Sequence, residues 1–406
     1  MSFAFVGSVQ HVAARSSLRP GLVLCLGLAL AACGSPKEAA GEGDGLLPSD
    51  GGAPRAASGD AQAVSDASAA MASSYVPPSD KLPPLPTPGD AGVANPVFFG
   101  PDNPVIYIND YPRSVYTDGY IYALAANREI QLRGIISSGN DCRCSNGDNY
   151  PVSNTPATRA AWISAAREAG FQNLPDNTNG TQGPTLEEPR SGKLADTVRI
   201  GSAGSDLIVR EARLATPERP LLLVIGGGLT TLADAYLADP SITTRVVVSA
   251  LAGLSAESLD DGNGGSDRWA TQIIMRNFRV FLFPSTLDVP YTPEARMLAE
   301  FPDTALRDLL LDAGYYRHDY DSDGSPAVTV MLPSFVKSAE RRALSQGLSM
   351  VPAPSGNLWV MTQGDPIAGG NEFFRALGKA FRNAPARVRT DAGAADGGAD
   401  VDAGSP

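Results

Sequence analysis

The sequence is poor in the residues that build metal clusters and disulfide frameworks. It has two histidines and four cysteines among 406 residues, too few for a zinc cluster or a disulfide scaffold. Positive charge is also scarce, because 32 Lys and Arg stand against 44 Asp and Glu, for a net charge of −12. No basic stripe is available to neutralise phosphates, which argues against nucleic acid or an anionic membrane surface as the main partner.

No apolar run near the N-terminus is long enough to span a bilayer. Two arginines precede the apolar segment 21–32, which is shorter than the roughly 20 residues that a transmembrane helix needs. The segment runs into Leu-Ala-Ala-Cys-Gly, which resembles the bacterial lipobox, in which the cysteine is acylated. We predict a signal peptide over 1–32 and a lipid anchor on Cys33; the alternative is an ordinary signal peptide cut near Ala32. Gly34 favours the outer membrane, so the expected location is the bacterial cell envelope.

Two stretches lack large apolar residues almost completely. Residues 33–94 and 387–406 consist mainly of Ala, Gly, Ser, Pro and Asp. Such segments cannot bury enough surface to offset their ordering entropy, so we predict a disordered stalk and a disordered acidic tail. The remaining segment, 95–386, is predicted to be the folded domain and is long enough for a sizeable core.

Strand and helix patterns alternate through the segment 95–386. Apolar runs typical of buried strands lie at 105–108, 130–137, 221–225, 245–251 and 278–283, and helical patterns lie at 120–127, 154–170, 229–238 and 268–276. This rhythm predicts a single α/β domain with a Rossmann-like open, mostly parallel sheet flanked by helices.

Polar residues follow several of these strands. Asp110 and Asp118 flank the turn between the first strand and the first helix, and Asn140 follows the second strand. Ligands gather at the carboxyl ends of strands in open α/β sheets. With only Arg113 in that turn, the two acids would repel each other unless a cation lies between them. The alternative is that Asp118 caps the helix and Asp110 is a turn residue.

A run of three glycines, 226–228, follows the strand at 221–225. It lacks the lysine of a P-loop and the spacing of a dinucleotide fingerprint. The glycines therefore indicate close approach of the backbone to some ligand.

The order and spacing of these pieces resemble the inosine–uridine nucleoside N-ribohydrolase family. In the turn after the first strand, Asp110 matches the second acid of the family's D-x-D-P-G-x-D-D turn and Asp118 matches the last. NREIQLRGIISSGN matches the family's next strand, P-E-I-x-L, which ends in V-G-N. VIGGGLTTLADAYLADPSI is similar to A-L-G-P-L-T-N-L-A-x-A, and DGNGGSDRWA is similar to E-F-N-x-x-x-D-P-x-A. Near the C-terminus, DGSPAV is similar to H-D-P-x-A-V without its histidine.

The resemblance implies the nucleoside hydrolase fold and hydrolysis of the N-glycosidic bond of ribonucleosides to free base and ribose. It implies a calcium ion and a small-molecule nucleoside as ligands, and it allows a homo-oligomer. Residue by residue, it places the general base at Asp110, the Ca²⁺ ligands at Asp110, Asp118, the Gly226 carbonyl and Asp323, and the ribose contacts at Asn140, Asp261 and Asn263.

The chain departs from the family in three places. Its first turn is longer and lacks the P-G-x-D-D core, and Asp261 replaces a glutamate and is shorter by one methylene group. No histidine directly precedes Asp323, since His318 lies five residues upstream of it. An alternative function is therefore a catalytically silent lipoprotein of the same fold that binds a nucleoside or a sugar. A third is a structural lipoprotein of the cell surface with a fold stiffened by calcium.

Two short segments have readings of their own. The run DYDSDG at 319–324 is also typical of the start of a calcium loop, but Val330 stands where an EF-hand has its closing glutamate. The run is therefore either a separate calcium loop or a solvated acidic turn, unless Asp323 is the calcium ligand that the resemblance implies. Cys142 and Cys144 either form a bond across Arg143 or stay as free thiols.

Overall fold

A computed structural model describes residues 101–110, 115–139, 155–253, 255–284, 298–315, 324–331 and 335–382. The predicted signal peptide, stalk and acidic tail lie outside these residues. The residues Cys33, Asn140, Cys142, Cys144 and Asp323, which the sequence singles out, also lie outside them, as do Arg113 and His318.

The described residues build one nine-stranded sheet with the order β3-β2-β1-β4-β5-β6-β9-β7-β8. The strands are β1 Pro104–Asn109, β2 Gln131–Gly139, β3 Asn177–Gln182, β4 Leu221–Ile225, β5 Val246–Leu251, β6 Arg279–Phe283, β7 Val336–Leu344, β8 Met350–Pro352 and β9 Leu358–Gly364. The first six strands and β9 pair in parallel, and only β7 pairs antiparallel, with β8 and β9. The predicted open, mostly parallel sheet is confirmed.

Helices flank this sheet. They are α1 Val115–Ala126, α2 Thr155–Glu168, α3 Ala203–Leu214, α4 Thr230–Ala238, α5 Gly262–Ser266, α6 Arg268–Asn277, α7 Ala305–Tyr315, α8 Gly324–Met331 and α9 Pro366–Phe381, with 3₁₀ turns at Leu194–Asp196 and Pro240–Thr244. In the described part of the chain, no helix is long and apolar enough to cross a membrane.

The central strand β1 is buried on both faces. Val105 and Tyr107 pack into one hydrophobic cluster with α1, α2 and α9, whereas Ile106 and Ile108 pack into a second cluster with α3, α4 and α6. Burial on both faces is typical of a parallel strand between two helical layers, and it explains the continuous apolar run in the sequence.

The chain reverses its direction across the sheet at β1. It builds β2 and β3 on one side of β1 and then returns to build β4, β5 and β6 on the other. Such a topological switch point opens a crevice at the carboxyl ends of the two central strands. Ile108 pairs with Ile225 and Asn109 with Ser137, so the residues that follow β1, β2 and β4 meet at one edge.

Candidate functional site

Asp110 and the glycine turn meet at the crevice between β1 and β4. The N–H of Gly226 donates to the Ile108 carbonyl at 2.9 Å. A Cβ atom on Gly227 would lie 2.8 Å from the backbone nitrogen, Cβ and Cγ of Asp110, closer than real Cβ contacts allow. Gly227 is therefore required because the backbone of the turn lies directly against Asp110. The backbone N–H of Asp110 donates to the side-chain oxygen of Asn109 at 2.8 Å.

Asp118, in the first turn of α1, is fully buried and forms an ion pair. Helix α1 begins at Val115, so Asp118 lies inside its first turn and is not its N-cap. Its Oδ2 accepts a hydrogen bond from Nε of Arg159 at 3.0 Å, and the two side chains are 0% and 1% exposed. Arg159 of helix α2 therefore supplies the positive charge that balances Asp118.

The other end of the Arg159 guanidinium joins two strands. Its Nη1 donates to the Asn109 carbonyl at 2.8 Å and to the Ser137 hydroxyl at 3.0 Å. The Ser137 hydroxyl in turn donates to Asn177 Oδ1 at 2.8 Å. One buried side chain therefore ties the start of α1 to the ends of β1 and β2.

The electrostatics of the pair follow from its burial. Burial raises the pKa of the Asp118 carboxyl above its usual value, and Arg159, Tyr107 and Tyr122 offset part of that shift. Burial alone would lower the pKa of Arg159, but the Asp118 carboxylate outweighs burial and raises it. The guanidinium therefore stays protonated and carries a permanent positive charge beneath the crevice.

Asn263 links the glycine turn to β5. Its Nδ2 donates to the Gly226 carbonyl at 2.6 Å and to the Leu251 carbonyl at 3.0 Å. Asp261 precedes the short helix α5, two positions before Asn263. The structure therefore brings Gly226 and Asn263 into direct contact and places Asp110 against the same turn.

The described residues do not fit the calcium site that the family resemblance implies. Oδ2 of Asp118 accepts from a guanidinium and the Gly226 carbonyl accepts from an amide, so N–H donors hold oxygens that would have to face the ion. Oδ1 of Asp118 makes no hydrogen bond of normal length within the described ranges, but an ion on it would lie beside the guanidinium. No group of three His, Cys, Asp or Glu that could hold a metal exists in the part of the chain that the structure describes. Asp323, the fourth implied ligand, lies outside the described residues.

Sequence reasoning missed Arg159, although a signal for it was present. Arg159, Trp162, Ile163 and Ala166 follow the i, i+3, i+4, i+7 spacing of one helical face, and all four are buried. An arginine on an apolar stripe needs a buried acceptor, and Asp118 is that acceptor.

A second buried polar cluster stabilises the same edge of the sheet. The Thr231 hydroxyl lies 2.5 Å from the Ser138 hydroxyl and 2.9 Å from the Thr181 hydroxyl. It also accepts from the Thr181 N–H at 2.9 Å. These contacts hold the first turn of α4 against the ends of β2 and β3 and thereby fix the position of the glycine turn.

Comparison with known proteins gives structural relatives only. No protein-family model matches the chain, and no curated protein matches its sequence. Among solved structures, a purine-preferring ribonucleoside hydrolase from Gardnerella vaginalis superposes with a TM-score of 0.52 at 14% identity, covering 69% of this chain and 100% of that one. An inosine-uridine preferring nucleoside hydrolase from Bacillus anthracis gives a TM-score of 0.47 at 16% identity, covering 69% and 99%.

At such low identity the likeness to the Gardnerella enzyme shows the fold. The chain has the mostly parallel α/β fold of nucleoside hydrolases, as the sequence predicts. Asp110, Asp261 and Asn263 stay predictions as residues that contact a ligand.

Proposed function

We propose that the crevice between β1 and β4 hydrolyses the N-glycosidic bond of ribonucleosides and releases free base and ribose. The observation that carries this proposal is the meeting of Asp110, the Gly226–Gly228 turn and Asn263 at the switch point of a nucleoside hydrolase fold. This is the position where open α/β sheets bind their ligands.

Asp110 is the group that would activate water. A carboxylate that takes a proton from a water molecule lets the water oxygen attack the anomeric carbon as the bond from that carbon to the base nitrogen breaks. The base leaves with the bonding electrons and takes a proton from solvent water, and Asp110 returns its own proton to solvent. The transition state carries positive charge on the sugar, which the Asp110 carboxylate also stabilises.

Asn263 is arranged to bind the ribose through one atom. Its Nδ2 already donates to two backbone carbonyls, so Oδ1 is the atom that it offers as an acceptor to a ribose hydroxyl. Asp261, two positions earlier, adds a carboxylate that accepts a second hydroxyl. Binding of the sugar at this end would orient the glycosidic bond toward Asp110. With a lipid anchor on Cys33, this chemistry would take place in the cell envelope.

The second candidate is a silent binder of nucleosides or sugars. The buried Asp118–Arg159 pair favours it, because an acid that the resemblance assigns to calcium is neutralised by the protein itself. In this case the same crevice would bind the ligand without turnover.

Hydrolysis assays on the full chain separate the two candidates. The protein is incubated with inosine, uridine and a chromogenic riboside, and released sugar is measured. Hydrolysis that is lost in Asp110→Asn and kept in Asp176→Asn, a change at an exposed surface carboxylate, supports the enzyme. Retained hydrolysis in Asp110→Asn would show that another group is the base. Saturable nucleoside binding without any sugar release would establish the silent binder.

A further inference from the structure

We propose that the Arg159 guanidinium replaces a divalent cation in this crevice, so that the Asp118 carboxylate needs no metal to be held there. Arg159 would take this role whether or not the crevice hydrolyses its ligand.

The acceptors of Arg159 are the oxygen types that a hard cation collects. They are a carboxylate oxygen of Asp118, the backbone carbonyl of Asn109 and the hydroxyl of Ser137. Calcium sites in proteins combine carboxylate, carbonyl and other neutral oxygens in the same way. The guanidinium holds them with directed N–H donors, and therefore cross-links α1, β1 and β2 as an ion would.

The charge of the acid is already balanced. Asp118 and Arg159 are both buried and form a neutral pair, and the guanidinium carbon lies 6.0 Å from the centre of the Tyr107 ring. A divalent ion on the remaining carboxylate oxygen would meet this permanent positive charge at short range in a poorly solvated position. The position of the charge therefore disfavours a second cation.

A second N–H donor acts in the same way at the neighbouring strand. The Gly226 carbonyl, which the resemblance assigns to calcium, accepts from Asn263 at 2.6 Å. Two of the oxygens that the resemblance assigns to calcium therefore accept hydrogen bonds from side chains of the protein. The donor to Asp118 is a charged guanidinium and the donor to the Gly226 carbonyl is a neutral amide. Together these donors fix the first turn of α1 and the turn after β4.

The test is calcium binding by the full chain after exhaustive treatment with EDTA. Calorimetric titration with CaCl₂ is compared for the wild type, Arg159→Met, the double variant Asp118→Asn/Arg159→Met and Arg167→Met. Arg167 lies on the same helix but pairs with Asp176 at the surface, so Arg167→Met is the matched control.

We expect the wild type and the double variant to bind calcium with the same affinity. In the wild type Asp118 is already paired with Arg159, and in the double variant the carboxylate is absent. Any binding by the acidic run 319–324 would be equal in both. Arg159→Met removes the cation that is paired with Asp118 and should bind calcium at least tenfold more tightly than the wild type, whereas Arg167→Met should not differ from the wild type.

A wild type that binds calcium and loses tenfold or more in affinity in the double variant would overturn the proposal. If Arg159→Met does not fold, Asp118→Asn alone gives the same comparison with the wild type. Because these readouts need no turnover, a failure to hydrolyse ribosides would sink the proposed function and leave this inference intact.

Discussion

Nε of Arg159 lies 3.0 Å from Oδ2 of Asp118, and neither side chain is more than 1% exposed. This contact joins α2 to α1 below the ends of β1 and β2, so the shape of the crevice depends on it. A buried ion pair can contribute little to the net free energy of unfolding. Removal of one partner is nevertheless costly, because it leaves the other charge buried and uncompensated.

Arg159→Met should therefore be strongly destabilising. We expect a loss of about 3–5 kcal/mol in the free energy of unfolding, because Asp118 stays buried without its cation. Urea unfolding at neutral pH measures this loss. The control Arg167→Met breaks an exposed ion pair with Asp176 and one hydrogen bond to the Leu174 carbonyl, and it should cost only about 1 kcal/mol. Equal small effects of the two changes would mean that Asp118 has another partner.

Asn263→Asp should weaken ligand binding as well as stability. A carboxylate cannot donate to the Gly226 and Leu251 carbonyls, so two hydrogen bonds are lost, worth about 1–3 kcal/mol together. Asn357 is a matched control, because its amide also bridges two carbonyls, those of Met275 and Phe278. Both variants should melt at lower temperature, but only Asn263→Asp should lose affinity for inosine in calorimetry. Equal loss of affinity in both would show that the effect is one of stability alone.

Gly227→Ala tests the close contact with Asp110. The new methyl group would lie 2.8 Å from three atoms of Asp110, so this residue must move. We expect at least a tenfold loss of riboside turnover. Gly370→Ala on α9 is the control, because its Cβ would meet no atom within 4 Å, and it should leave turnover unchanged while adding up to about 1 kcal/mol of stability. If Gly227→Ala turned over ribosides at the wild-type rate, Asp110 would not be the general base.

The contacts of Glu129 with Arg375 and Lys379 should make the stability of the protein depend on pH. Burial alone would raise the pKa of Glu129, but hydrogen bonds from Arg375 and Lys379 on α9 lower it below its usual value. A carboxyl whose folded pKa is lowered contributes stability above its unfolded pKa and loses it as the pH falls through the folded pKa.

Glu129→Gln should consequently lower stability by about 1 kcal/mol at pH 7 and by less towards pH 3, as the pH falls through the lowered folded pKa of Glu129. Thermal melts of both proteins across this range give the difference curve. Glu188→Gln, a change at an exposed carboxylate, should give a flat difference. A destabilisation by Glu129→Gln that is constant with pH would contradict the assignment.

The strands that are buried on both faces could be predicted, because such burial produces a continuous run of apolar residues in the sequence. Strands β1, β4 and β6 are continuous apolar runs because helices cover both of their faces. Strand β3, with the sequence NTNGTQ, carries no such mark. Its pairing with β2 at the edge of the sheet decides its structure, and this is a tertiary effect that local sequence does not encode.

The site was predictable only as a set of positions. The polar residues after β1 and β4 indicate the crevice because parallel strands end at one edge. The partner of Asp118 comes from α2, 41 residues further along the chain. A pairing over that distance could have been suspected from the arginine on the apolar stripe of α2, but its acceptor could not have been identified.

We propose that the crevice hydrolyses ribonucleosides and that its cation is Arg159 of the chain itself. The measurement that tests this most directly is the initial rate of sugar release from inosine by the full chain, in EDTA and in excess CaCl₂. We expect the same rate in both conditions. A rate that is present only with calcium, or no release in either condition, would contradict this expectation.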